Sequence, residues 1–185
     1  MHGSPFRSIR SEDAQGHIVL IPYGDVKPAW GTIAVNSLDD YKHPHGVIFT
    51  NPDERIGPFR FHGSGMLKLA DSLQEVTEHV TIIPDLSACS FGPPLNHRVP
   101  GMLAVVEGDY FLYVRSVEDK TQSRWLKLAD GTMGSLGNAT PLYCAKWRAE
   151  LRGPCWREAE KIFWADLRPS ADVVLNISRE PVEPH

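Results

Sequence analysis

Cys144, His45 and His62 are the side chains of this 185-residue chain whose types and order suit covalent chemistry. Thr140 followed by Pro141 is a helix-start signal, with threonine as the N-cap, proline at the first helical position and no breaker from residue 142 to 152. On that reading Cys144 lies in the first helical turn, where free N–H groups and the helix dipole stabilise a thiolate. A thiolate nucleophile needs a base. His45, at the start of a strand over 46–50, and His62, at the end of a β-rich run over 58–61, offer two imidazoles. Each residue also has an ordinary reading: Cys144 as a small hydrophobe beneath Trp147, and the histidines as solvated turn residues.

The segments HPHGVIF, FRFHGSG and PLYCAKW, taken in that order, resemble the circularly permuted papain-like enzymes, which include lecithin:retinol acyltransferase and some cell-wall peptidases. The resemblance covers residues 41–152. It implies a thiol hydrolase or acyltransferase acting on an amide or ester bond, with Cys144 as nucleophile, His45 as base and His62 as the orienting group. Tyr143-Cys144 stands where the family commonly has Asn-Cys, and a helix over 65–80 stands where its sheet would continue. The alternative is a non-catalytic ligand-binding or protein-interaction domain.

Three further features carry a chemical reading beside a structural one. Gly63, Ser64 and Gly65 join a strand to a helix start, where backbone N–H groups hold an anion or oxyanion; they are also ordinary capping residues. His43 and His45, with His62 or with Asp39 or Asp40, have the donor types of a zinc or iron site, but Pro44 breaks the pattern and no second cluster follows, so no metal and no cofactor is expected. Trp147, Trp156, Phe163 and Trp164 alternate with basic residues, as a stacking surface or as core residues with a solvated basic face.

The elements that would position these groups read as α+β: an antiparallel sheet of short strands packed against one central helix and two C-terminal helices. Strands are expected over 17–21, 31–35, 46–50, 58–61 and 81–83, then a meander over 102–106, 110–114 and 124–128, and a last strand over 173–177. Met66, Leu69, Ala70, Leu73, Val76 and Val80 recur at helical spacing, which predicts an amphipathic helix over 65–80. The other helices are expected over 140–152 and 154–167, divided by Gly153-Pro154. Residues 1–15 and 178–185 read as loose ends around one domain over 16–177, and no internal repeat is evident.

Composition sets the class. Apolar residues at 42% and charged residues at 23% suit a globular chain, and 15 Gly with 15 Pro suit short elements. A net charge of −4 without a basic block argues against nucleic acid. No apolar run reaches bilayer length and the first ten residues hold no signal-peptide core, so a cytoplasmic chain with no membrane span is expected. Its partner would be a small-molecule or peptide substrate, with a homo-oligomer left open. Three cysteines, Cys89, Cys144 and Cys155, fit reduced thiols, of which at most two could pair.

Overall fold

The computed structural model describes residues 6–23, 26–37, 43–49, 57, 59–62, 71–76, 79–91, 98–152 and 175–177. Their strands are β1 (Phe6–Arg10), β2 (Ile18–Tyr23), β3 (Val26–Asn36), β4 (Pro44–Ile48), β5 (Arg60–Phe61), β6 (Ser72–Val76), β7 (His79–Pro84) and β8 (Cys89–Ser90). There follow β9 (Leu103–Val106), β10 (Asp109–Ser116), β11 (Ser123–Lys127), β12 (Thr132–Gly134), β13 (Leu142–Cys144), β14 (Trp147–Arg152) and β15 (Leu175–Ile177). Helix among the described residues is confined to two short 3-10 turns, Ser11–Asp13 and Leu86–Ala88.

The α+β expectation is therefore wrong, and the protein is a β structure. The helix expected over 65–80 is replaced, from Ser72 onward, by β6 and β7. Leu73 and Glu75 are buried and Gln74 is exposed, the period of two that a strand imposes. A helix would set Leu73 and Glu75 on opposite faces instead. The helix expected from Thr140 is replaced by β13 and β14, whose Leu-Tyr-Cys and Trp-Arg-Ala-Glu-Leu-Arg runs pair with other strands. The expected helix over 154–167 lies outside the described residues. Residues 6–10, read as part of a loose end, form β1 and pair with β6 over five rungs.

The strands are laid out twice in the same pattern. β1 pairs with β6, β6 with β2, β2 with β3, β3 with β4 and β4 with β5, each antiparallel. In the same order β8 pairs with β13, β13 with β9, β9 with β10, β10 with β11 and β11 with β12, again antiparallel. The two units interlock through parallel contacts. β5 of the first lies beside β10 of the second, and β12 of the second lies beside β3 of the first. The ladders β3–β4–β5–β10–β11–β12 thus close on themselves, a ring with no free edge. β7 and β14, which follow β6 and β13, pair antiparallel with each other, as a two-fold relation between the units requires.

The correspondence extends to single rungs. Gly31–Val35 pair with Pro44–Ile48 as Phe111–Arg115 pair with Ser123–Lys127, and Val47 opposes Phe61 as Leu126 opposes Met133. Val35 N–H donates to Gly131 O (2.8 Å) as Arg115 N–H donates to Phe59 O (3.3 Å), and Ser37 N–H to Met133 O (2.7 Å) as Val117 N–H to Phe61 O (2.9 Å). Matching positions fill one core: Ala34 and Val114, Val47 and Leu126, Phe61 and Met133 are all buried in a single cluster. Removing each such side chain from water contributes about 1.5–3 kcal/mol for the larger ones.

Where the units cross, the chain enters the left-handed region. Gly131 (φ +71°) precedes β12 and Phe59 (φ +56°) precedes β5 at the same place. A Cβ on Gly131 would stand 2.4 Å from the backbone nitrogen of Gly16. Phe59 instead faces Gly101, whose missing Cβ leaves room for the ring. Trp147 closes this region, its Nε1–H donating to Gly101 O at 2.8 Å and its ring 6.1 Å from that of Phe59.

Candidate functional site

β4 and β5 bring the two histidines together. His45 and His62 are both buried, at 5% and 6% exposure, although their neighbours in sequence suggested turns. His45 Nδ1 lies 2.6 Å from the backbone oxygen of His62. A carbonyl only accepts, so Nδ1–H is the donor in this contact. The His45 ring also meets Phe61 edge-on at 6.1 Å. His62 Nδ1 lies 3.6 Å from Glu118 Oε1, and the other oxygen of that carboxylate accepts from Ser116 Oγ at 3.1 Å. Burial pushes the His62 pKa below its ordinary value, and the facing Glu118 only partly offsets it.

Cys144 sits elsewhere. It is fully buried on β13, and its sulfur is bonded to that of Cys89, the residue directly opposite on β8. The expectation of reduced thiols is thus corrected for Cys89 and Cys144. Cys144 stands level with Leu103 and, through it, with Leu112 of β10, whereas Phe61 stands level with Ser116. Four residues of β10 separate those levels, about 13 Å of extended chain. Cys144 has left the proposed helix start as well, since β13 is extended and offers no N-terminal dipole.

The remaining expectations divide. Gly63, Ser64 and Gly65 lie outside the described residues, as do Asp39, Asp40, Trp156, Phe163 and Trp164. His43 is exposed while His45 is buried, and no group of three or more His, Cys, Asp or Glu that could hold a metal ion is found among the described residues. Trp147 is a buried strand residue at 5% exposure, the core reading of that aromatic. No helix among the described residues is long and apolar enough to cross a membrane.

Sequence reasoning passed over two polar groupings. Glu75, at 6% exposure, accepts from Arg7 Nε at 2.6 Å and from His17 Nδ1 at 2.5 Å. Burial raises its pKa, but the hydrogen bonds and charges of Arg7 and His17 outweigh that and leave it below the ordinary carboxylate value. On the second unit, the guanidinium of Arg98 lies 5.9 Å from the ring centres of both Trp125 and Tyr143, which are themselves in contact at 6.0 Å. Comparison with known proteins finds no match for this chain among protein-family models, curated proteins or solved structures.

Proposed function

We propose that this chain is a non-catalytic ligand-binding or protein-interaction domain. One observation carries the reading: the only side chain put forward as nucleophile, Cys144, is buried and holds its sulfur in a disulfide with Cys89. A disulfide sulfur has no thiolate with which to attack a carbonyl. What the bond does instead is tie the edge strand β8 to β13, a structural use of cysteine.

The reading is tested by counting thiols. The protein, unfolded without reductant and treated with iodoacetamide, should take up one label per chain, on Cys155, because Cys89 and Cys144 are consumed by each other. Three labels per chain overturn it.

The competing reading is a thiol hydrolase or acyltransferase, and the His45–His62–Glu118 grouping favours it, since a buried imidazole with a carboxylate beside its neighbour is the support such a nucleophile uses. It requires the disulfide to open and β13 to shift toward the histidines. Hydrolysis of an activated ester that appears on reduction and disappears in Cys144→Ser would support this reading against the first.

A further inference from the structure

The two units fasten their outermost strands by different means. β1 pairs with β6 over five rungs without a covalent tie, whereas β8 pairs with β13 over two, Cys89 with Cys144 and Ser90 with Tyr143. Phe6 and Cys89 stand at matching places, and only Cys89 is bonded across its rung. Beside the two rungs, Ala145 N–H donates to Ala88 O at 3.1 Å. So few ladder bonds do little to offset the entropy of fixing a two-residue strand at a sheet edge.

Side-chain packing does not make up the difference. Leu86, Ser90 and Phe91 are exposed, and Cys89 is the residue of β8 that packs on the main core cluster. β13 lies outside the closed ring β3–β4–β5–β10–β11–β12, joined to it through β9, and β8 is one strand further out. Before β8 the chain is pinned by the six rungs of β7 with β14, so loosening β8 leaves the chain up to Pro84 in place. The bond is open to attack from one side only: Cys89 is half-buried at the sheet edge, and Cys144 is fully enclosed.

We infer that the Cys89–Cys144 disulfide is a thiol-operated latch: its reduction releases residues 86–91 from β13 and uncovers the edge of β13 while the ring stays folded. This rests on the same bond as the reading above and goes beyond it by giving the domain a redox response. The reductant is a small thiol such as glutathione, two molecules of which supply two electrons. The thiolate of the first attacks Cys89 Sγ: a mixed disulfide forms, the Sγ–Sγ bond breaks, and the bonding pair leaves on Cys144 Sγ, which takes up a proton among the apolar side chains around it. The thiolate of the second attacks the sulfur of the first, forming the oxidised thiol dimer and leaving Cys89 to take up a proton. The uncovered edge then presents backbone groups, the Ala145 N–H among them, to which an extended segment of another chain adds as a strand.

The experiment follows amide hydrogen exchange of the whole chain by mass spectrometry, first oxidised and then reduced with glutathione at neutral pH without denaturant. Reduction should speed exchange in peptides covering residues 86–91 and 142–146 at least about tenfold, while peptides from β10 and β11 stay the slower ones in the reduced chain. Of the two bonded cysteines, Cys89 should carry the first glutathione adduct. Unchanged exchange over 86–91 overturns the inference, because pairing alone then holds β8. Loss of protection at β8, β10 and β11 together also overturns it, since the bond would then support the whole fold, as does a bond that glutathione opens only in denaturant. The double variant Cys89→Ser/Cys144→Ser, without any reductant, should reproduce the exchange pattern of the reduced parent; the oxidised pattern in that variant overturns the inference. The two conclusions fail separately. One label in the thiol count with unchanged exchange removes the latch and leaves the binding or interaction reading. Ester hydrolysis that appears on reduction, with β8 released, removes the non-catalytic reading and leaves the latch, and three labels remove both.

Discussion

The first unit holds its outermost strands with charge, and the second holds the same strands with a covalent bond and aromatic rings. Glu75 on β6 and Tyr143 on β13 occupy matching rungs, opposite Val19 and Ala104. Glu75 is anchored by Arg7 and His17; Tyr143 packs on Trp125 beneath Arg98. One step along, the Phe6–Val76 rung of β1 and β6 matches the Cys89–Cys144 rung of β8 and β13. The shared backbone is thus compatible with quite different side-chain solutions. What differs between the units reports on local demands, and what is the same, the inward positions Val47 and Leu126 or Phe61 and Met133, reports on the common core.

The sharpest way to break the comparison is to remove the bond that only the second unit has. Cys89 and Cys144 are 55 residues apart in sequence, and closing a loop of that length lowers the entropy of the unfolded chain enough to stabilise the fold by about 4 kcal/mol. The double variant Cys89→Ala/Cys144→Ala should lose close to that amount in urea unfolding, and added reductant should bring the parent to a similar value. A loss below about 1 kcal/mol would mean that β8 is held by its pairing alone.

The crossing residues give the next effect. Gly131→Ala places a Cβ 2.4 Å from Gly16 N and 2.8 Å from its Cα, and asks alanine to keep a positive φ, so about 3 kcal/mol should be lost. At the matching Phe59 the left-handed backbone is already occupied by a large side chain, and Phe59→Ala should also cost about 3 kcal/mol, from the cavity left among Phe49, Trp147 and Gly101. Similar losses with opposite causes, a clash at one crossing and a void at the other, are the expectation. The two can be told apart by structure: the Phe59 variant should take up a small apolar probe that the Gly131 variant does not.

These particulars show why part of the molecule was legible and part was not. β9, β10 and β11 stand close to the positions expected of them, because alternating apolar residues flank Glu107-Gly108, a two-residue turn with both φ positive. β2, β3, β4, β5, β7 and β15 likewise overlap expected strands. β6 and β13 differ from expectation for separate reasons: the apolar residues from Met66 to Val80 fit a helical template while Leu73 and Glu75 fit a strand, and Thr140-Pro141 precedes a strand as readily as a helix, so only the partner strands decide. The duplication escaped notice because matching rungs seldom hold similar residues: Glu75 against Tyr143, Phe59 against Gly131, Arg60 against Thr132. Of the chemistry, the meeting of His45 with His62 was legible from the strands that carry them. The engagement of Cys144 with Cys89 was not, since it depends on β8 pairing with β13.

The smallest expected effect concerns the charged anchor of the first unit. Glu75 has a folded pKa below its unfolded value, so its contribution is complete above the ordinary carboxylate range and is lost as pH falls through the folded value. Arg7 is 63% exposed, which screens its share. Glu75→Gln should therefore cost about 1.5 kcal/mol at neutral pH, from the charged hydrogen bonds it gives up. That gap should close in acid, where the parent carboxylate takes up its proton and the two chains become alike. His62 moves stability in the same direction in a higher window. Its pKa is depressed, so the unfolded chain gains protons first as pH drops below about 6.5, and stability declines from there toward the folded value. Unfolding measured from pH 8 to pH 3 should accordingly show two descents, with Glu75→Gln flattening only the lower one and Tyr143→Phe, at the matching rung of the second unit, flattening neither. A Glu75→Gln profile that runs parallel to the parent throughout would show that the first unit does not depend on this charge.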